Sequence, residues 1–136
     1  MMRVLVVAVN DGFFAVPMAT VHQVLRHPKV TRVPLSPPSL LGVVNVRGEI
    51  VPFLDTGVLT GTGSLSEPPF AVLVSGQGEM VALAAEGLPT AADFEEPVGP
   101  GTQPGELGVY SSGGRLVVLI DIEELVKSRL DLKRAS

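Results

Sequence analysis

The side chains that most often perform catalysis are few in this sequence and lie far apart along it. His22 and His27 are five residues apart, and the chain contains no cysteine that could complete a metal site. Glu49 and Asp55 are six residues apart, a spacing that spans roughly 20 Å in an extended chain. That separation is too large for two carboxylates that share one reaction centre. We therefore expect neither a metal site nor a catalytic carboxylate pair.

The glycine-rich stretches also lack the features of phosphate-binding loops. Gly61-Thr62-Gly63-Ser64 is not followed by the Gly-Lys-Ser/Thr ending that reaches phosphate and magnesium. Gly99-Pro100-Gly101 does not join a strand to a helix, and no Gly-x-Ser-x-Gly elbow occurs. Because no reactive cluster emerges, we expect that the protein is not an enzyme, that it needs no cofactor, and that it acts through contact with partners.

Isolated polar residues beside apolar segments are then the informative ones, and Arg47 is the clearest of them. Arg47-Gly48 joins two valine-rich segments in VVNVRGEIVP, residues 43–52. Arginine is favoured at interfaces because its fork makes several directed hydrogen bonds while its stem packs. An intramolecular salt bridge or a solvated turn would explain Arg47 equally well. The other isolated polar residues are Gln23, Thr31 and Glu86.

The composition indicates a folded protein without a membrane span. Of the 136 residues 46% are hydrophobic and only 4% are aromatic, which favours an aliphatic core in one compact domain or two very small subdomains. The clearest apolar run, Val4 to Val9, is far shorter than the roughly 18 residues that a spanning helix needs. With no signal peptide and no cysteine, we expect a cytoplasmic protein that does not insert into a membrane.

Charge is distributed unevenly along the chain, although the net charge is only −4. Residues 1–58 contain five basic and three acidic residues, whereas residues 59–126 contain one basic and ten acidic residues. The negative total argues against binding to a nucleic-acid backbone. Two surfaces of opposite sign suggest different protein partners, although the acidic residues could simply solubilise loops.

Turn signals between short β-branched segments predict mainly antiparallel strands. Three hairpins are expected, with strands at residues 3–9 and 13–17, 70–74 and 80–85, and 109–110 and 116–120. Further strands are expected around residues 30–33, 43–46 and 49–54, with Val43 buried, while residues 19–26 fit either a helical turn or a strand. This pattern is typical of antiparallel barrels or a sandwich.

The remaining segments predict turns, loops and one helix. Ser39-Leu40-Leu41 is expected to form a helical turn that Gly42 ends. Residues 56–68 and 93–106 are expected to be loops, the second of them long and mobile. Asp121 is expected to cap a C-terminal helix whose apolar stripe contains Leu125, Val126 and Leu130.

Residues 12–55 resemble the CheW-like domain of bacterial chemosensory adaptors. Two motifs are the most specific, Gly-Val-x-Asn-hydrophobic-Arg-Gly at residues 42–48 and hydrophobic-Pro-x-x-Asp at residues 51–55. Segments 70–74, 81–88 and 116–126 are similar to later strands and the terminal helix of the family. The resemblance implies an all-β fold of two packed five-stranded SH3-like barrels with a short C-terminal helix, interleaved within a single domain over residues 1–136.

The resemblance also implies a role and a set of contact residues. Family members are non-catalytic scaffolds that couple the cytoplasmic tip of a methyl-accepting chemoreceptor to the regulatory domain of a CheA-type histidine kinase. A groove between the barrels would take the receptor helix, and one barrel would contact the kinase. The positions that the resemblance assigns to partner binding, together with two that depart from the family pattern, are Val21, Gln23, Thr31, Gly42, Arg47, Gly48 and Glu86.

Two of these positions depart from the usual family pattern. Gln23 stands where many members carry glutamate, and Ala85-Glu86 stands where Val-Asp is usual, which lengthens the acidic side chain by one methylene. These departures leave an alternative open. The protein could be a partial regulator that binds only the kinase or only the receptor, for example in a pilus or gliding motility pathway.

Overall fold

The computed structural model describes residues 1–76 and 78–127, and most of this chain lies in two β-sheets. Two short helices accompany the sheets, α1 (Thr56–Thr60) and α2 (residues 122–127), and a 3₁₀ turn spans Met18–Thr20. The strands are β1 (Met2–Val9), β2 (Gly12–Pro17), β3 (Val21–Arg26), β4 (Val30–Thr31), β5 (Leu40–Val46), β6 (Glu49–Leu54), β7 (Phe70–Gly76), β8 (Glu79–Ala85), β9 (Thr90–Phe94), β10 (Glu106–Ser112) and β11 (Arg115–Ile120).

The two sheets confirm the predicted all-β fold class. The first sheet has the strand order β10-β11-β2-β1-β9, and the second has the order β3-β7-β8-β6-β5-β4. The second sheet therefore has six strands instead of the expected five, because the two-residue β4 pairs with β5 at its edge. In chain order the whole second sheet is inserted between β2 and β9 of the first.

Both sheets are curled. In the first sheet the edge strands β9 and β10 meet, where the rings of Phe94 and Tyr110 stack with centroids 4.4 Å apart. In the second sheet the edge strands β3 and β4 are separated in sequence only by residues 27–29. A flat six-stranded sheet would hold its edges about 24 Å apart, whereas that connection spans at most about 14 Å. The connection therefore requires the second sheet to bend towards closure.

The larger hydrophobic core takes side chains from both sheets. Val7 and Val16 of the first sheet belong to the same buried cluster as Val72 and Leu83 of the second. A smaller cluster around Phe94 fills the inside of the first sheet. In β5 the buried residues are Gly42 and Val44, the latter 2% exposed, while Val43 is only partly buried. The prediction that Val43 is buried was therefore displaced by one residue.

The three predicted hairpins are present, with small differences at the turns. In the first hairpin Val9 pairs with Gly12, so the two turn residues are Asn10 and Asp11. Residues 18–26 form a 3₁₀ turn followed by β3, which resolves the ambiguity of that segment. The predicted helical turn at residues 39–41 was wrong. Leu40 and Leu41 lie in β5, because Leu40 pairs with Leu54 and extends the β5–β6 ladder.

Two elements lie in segments that we expected to be loops. Helix α1 follows directly on β6, and Thr56, Gly57 and Leu59 of this helix are buried. Strand β9 includes Phe94, and the chain that follows it bonds back to β10 through the N–H of Val98 and the carbonyl of Val109, 2.7 Å apart.

The C-terminal helix begins as predicted. The carboxylate of Asp121 accepts the N–H groups of Glu123 and Glu124 at 3.1 and 3.4 Å, and Leu125 is buried. Leu130 lies outside the described residues. Within residues 1–76 and 78–127, no helix is long and apolar enough to cross a membrane.

Candidate partner-binding surface

Arg47 occupies the tip of the β5–β6 hairpin in a conformation that disfavours most side chains. Val46 pairs with Glu49, so Arg47 and Gly48 form a two-residue turn with φ angles of 53° and 86°. Positive φ at both positions is the combination that two-residue hairpin turns favour, usually with Asn-Gly. The carboxamide oxygen of Asn45 accepts the N–H of Gly48 at 2.8 Å and closes the turn. An arginine in the left-handed region costs roughly 1–2 kcal/mol.

The side chain of Arg47 is exposed and makes no ion pair with any described residue. The neighbouring Glu49 is also exposed but is not within salt-bridge distance of Arg47. In the part of the chain that the structure describes, the salt bridge that forms joins Arg3 to Asp93 at 3.3 Å. The intramolecular salt bridge considered for Arg47 is therefore not formed with any residue in 1–76 or 78–127. The guanidinium group is left available to a partner.

Gln23 and Gly42 lie on one row that crosses the second sheet. The strand registers place Gln23 opposite Leu73, Leu73 opposite Ala82, Ala82 opposite Phe53 and Phe53 opposite Gly42. The row thus begins on edge strand β3 and ends beside edge strand β4. Its central members are buried, whereas Gln23 is exposed at the edge.

Gly42 has a packing role that brings in Thr31. A Cβ atom at Gly42 would lie 2.4 Å from the carbonyl oxygen of Thr31 and 2.7 Å from a methyl group of Val30. Only glycine allows β4 to approach β5 this closely. Thr31 itself is exposed. Gly42 therefore supports the position of Thr31 and is itself buried.

A groove opens between the two sheets at the end of the molecule where Val21 lies. Val21 pairs with Val74 and packs partly against the larger core. The adjacent groove has a volume of about 230 Å³ and walls from both sheets. It is lined by Val16, Pro17, Thr20, Val74, Ser75, Leu107, Ile120, Asp121, Ile122 and Glu123.

The strand registers place Arg47 towards the same end as this groove. Through the pairings β5–β6, β6–β8 and β8–β7, strands β5 and β7 run in the same direction. The step from Gly42 towards Val46 therefore points the same way as the step from Leu73 to Val74. Val74 and Ser75 line the groove. Arg47 comes four residues after Val43 of β5, so it lies about 13 Å beyond Val43 in this same direction. The groove and the free arginine therefore share one end of the second sheet.

Glu86 lies at the opposite end and is already engaged within the molecule. It follows the last residue of β8, and its carboxylate accepts the N–H of Asn10 in the β1–β2 turn. Its own N–H donates to the carbonyl of Ala8 at 2.9 Å. The structure thus brings Gln23, Thr31 and Gly42 together on one band, places Arg47, Gly48 and Val21 towards one end, and separates Glu86 from all of them.

Sequence reasoning missed most of the groove. Its walls come from β2, the 3₁₀ turn, β7, β10, β11 and the start of α2, several of which are far apart in the chain. Leu107 is 56% exposed there, and its position beside the groove is visible only in the fold. In the described part of the chain, no cluster of three or more His, Cys, Asp or Glu residues is placed to hold a metal ion.

Comparison with known proteins identifies the family to which this fold belongs. Residues 3–130 match the profile of a family described as the CheW-like domain. The chemotaxis protein CheW of Klebsiella aerogenes is 26% identical over 137 residues, covering 91% of this chain and 81% of that protein. The crystal structure of scaffolding protein TtCheW from Thermoanaerobacter tengcongensis shows the same fold, with a TM-score of 0.80 at 19% identity, covering 91% of this chain and 86% of that one. Because the family profile extends over nearly the whole sequence, the chain belongs to the CheW-like domain family.

Proposed function

We propose that this protein is a non-catalytic adaptor that couples methyl-accepting chemoreceptors to a CheA-type histidine kinase in bacterial chemosensory signalling. The observation that carries the proposal is the family match over residues 3–130. One relative is named a chemotaxis protein and another a scaffolding protein. The exposed Arg47 and the inter-sheet groove supply surfaces that such a role requires.

The receptor would bind in the groove between the sheets. Val16, Val74 and Ile120 give the groove apolar walls, and the carboxylates of Asp121 and Glu123 lie at its border. An apolar groove with a polar border suits one face of an amphipathic helix. Arg47, towards the same end, would hydrogen-bond the receptor or the kinase through its unpaired guanidinium.

The kinase regulatory domain would contact the edge of the second sheet. Gln23 on β3 and Thr31 on β4 are exposed on the two edge strands. Edge strands carry backbone groups without partners and so readily receive another protein. Gln23 would make a neutral hydrogen bond where glutamate in other members could make an ion pair.

The proposal includes the organisation and setting of the chain. Residues 1–136 would form one domain of two interleaved barrels, because the larger core joins side chains from both sheets. The protein would work in the cytoplasm, where receptor tips and kinase meet. It would do so without binding nucleic acid and without inserting into the membrane.

Co-sedimentation tests the adaptor function directly. The full chain is mixed with a receptor signalling-tip fragment assembled on vesicles, with the kinase regulatory domain, or with both. We expect the chain to pellet with the receptor fragment and to carry the kinase domain into the pellet. Binding to only one of the two would favour the partial regulator. Binding to neither would refute the adaptor proposal.

A further inference from the structure

The two sheets share the larger core, and the groove opens at one end of their contact. At the other end the tip of the β1–β2 hairpin is hydrogen-bonded to the second sheet. We propose that Asn10 and Glu86 are positioning residues that set the angle between the sheets and thereby the width of the groove. This inference rests on the proposed function, since the groove is the receptor site in that proposal.

The contact, which we call the hinge contact, consists of Asn10, Glu86, Thr62 and Gly63. The backbone N–H of Asn10 donates to the carboxylate of Glu86. The Asn10 carboxamide N–H donates to the hydroxyl of Thr62 at 3.1 Å and to the carbonyl of Gly63 at 2.8 Å. Together with the bond from the Glu86 N–H to the carbonyl of Ala8, four hydrogen bonds join the β1–β2 hairpin to the end of β8 and to the loop after α1.

The residue types at the hinge contact suit this geometry. Asn10 has φ 54°, and asparagine is among the few residues that accept the left-handed region. Gly63, whose carbonyl accepts the Asn10 carboxamide, packs tightly against α1, because a Cβ atom at Gly57 would lie 1.9 Å from that carbonyl oxygen. The Glu86 side chain is one methylene longer than aspartate. An aspartate there would fall short of the Asn10 N–H by about 1.5 Å.

The rest of the inter-sheet packing gives little directional control. The larger core that the two sheets share contains the small buried side chains of Ala82, Ala84 and Ala85 of β8. Burial of apolar area is favourable but non-directional, so aliphatic surfaces of this kind can rotate slightly at small cost. Hydrogen bonds have strict angular preferences. The hinge contact is therefore the element that fixes the angle.

Because the β1–β2 hairpin is long, a small rotation of the sheets at the hinge contact changes the width of the groove at its other end. Asn10 and Pro17, which lines the groove, are separated by seven residues of extended chain, or about 23 Å. A rotation of about 5° at the hinge contact would move the groove wall by about 2 Å over that length. A shift of this size matters where a helix must fit between two walls.

The test compares two hinge variants with a matched control. Asn10→Gly keeps a residue that accepts positive φ but removes the carboxamide, and Glu86→Asp shortens the acid. Glu96→Asp makes the same change on an exposed glutamate outside the contact. Because the chain has no cysteine of its own, Leu107→Cys and Glu79→Cys place one spin label on each sheet near the groove.

We expect both hinge variants to shift or broaden the label-to-label distance by about 2 Å and to raise the Kd for the receptor-tip fragment three- to tenfold. Affinity for the kinase regulatory domain should stay within twofold, and Glu96→Asp should change nothing. An unchanged distance in both hinge variants overturns the inference. Changed distances with unchanged receptor affinity overturn its link to the groove. If the wild-type protein binds no receptor fragment while the distances still change, the hinge stands and the proposed function fails.

Discussion

The Arg47→Asn variant is expected to be more stable than the wild-type protein, although under the proposed function it loses a contact to its partners. Arg47 is held at φ 53° in a two-residue turn with Gly48. Asn-Gly is the pair that such turns favour most, because asparagine tolerates the left-handed conformation. The arginine contributes no ion pair to the described fold that could offset this preference.

The size of the effect follows from the backbone conformation. Arginine in the left-handed region costs roughly 1–2 kcal/mol, and asparagine recovers part of that amount. We expect the free energy of unfolding to rise by about 0.5–1 kcal/mol. For a chain of this length the gain corresponds to an increase in Tm of about 2–5 °C. In the same variant, binding should weaken by at least tenfold, or about 1.4 kcal/mol, as expected for a desolvated arginine contact.

Urea denaturation followed by circular dichroism measures the stability, and co-sedimentation with receptor fragment and kinase domain measures the binding. Arg47→Lys is the matched control, because it keeps the charge and the unfavourable conformation and should leave Tm unchanged. Arg32→Asn removes an exposed arginine elsewhere. A loss of stability greater than about 1 kcal/mol in Arg47→Asn would show that Arg47 holds the fold together, and the reasoning would be wrong.

Four further substitutions test the packing that positions the surface. Val44→Asp places a carboxylate at a position that is 2% exposed and should prevent folding, whereas Val43→Asp should cost about 1–2 kcal/mol in urea denaturation; equal effects would contradict the β5 register. Asp55→Ala removes a buried acceptor of three backbone N–H groups and should lower the free energy of unfolding by about 2–4 kcal/mol; a loss below about 1 kcal/mol would show that water replaces the carboxylate. Gly42→Ala forces a Cβ atom against the carbonyl of Thr31 and should weaken kinase-domain binding as well as stability, while normal binding would show that this band does not meet the kinase.

The hairpins were predictable because their signals are local. Ser112-Gly113-Gly114 joins β10 to β11, and both glycines have the positive φ that the turn needs. Helix α1 could not be predicted in this way, since its five residues are too short to show a helical period. It is held by Asp55, whose carboxylate also accepts the N–H of Leu65 at 3.0 Å, ten residues further along the chain.

The error at residues 39–41 has a related cause. The Pro-Pro-Ser-Leu-Leu-Gly sequence carries local signals for a turn and a cap, but pairing of Leu40 with Leu54 prevails. Tertiary pairing routinely overrides such local preferences. The displacement of the buried position from Val43 to Val44 belongs to the same strand, where a bulge between Leu40 and Gly42 shifts the register.

The candidate site was only partly accessible from the sequence. Motifs around Arg47 pointed to the family, but whether the arginine was paired depended on where the carboxylates lie in space. The groove remained hidden because Pro17, Val74 and Leu107 come from three distant segments. The sequence predicts Glu86 as a contact residue but does not predict its bond to Asn10, which depends on a neighbour 76 residues away in the chain.

The most direct test of the adaptor account is kinase autophosphorylation in a reconstituted array of receptor fragment, kinase and this protein. The wild-type chain is expected to raise kinase activity above that of kinase and receptor alone. Arg47→Glu is expected to reduce that stimulation by at least tenfold while its Tm stays within about 2 °C of the wild-type value. Full stimulation by a folded Arg47→Glu variant, or none by the wild-type chain, would contradict the account.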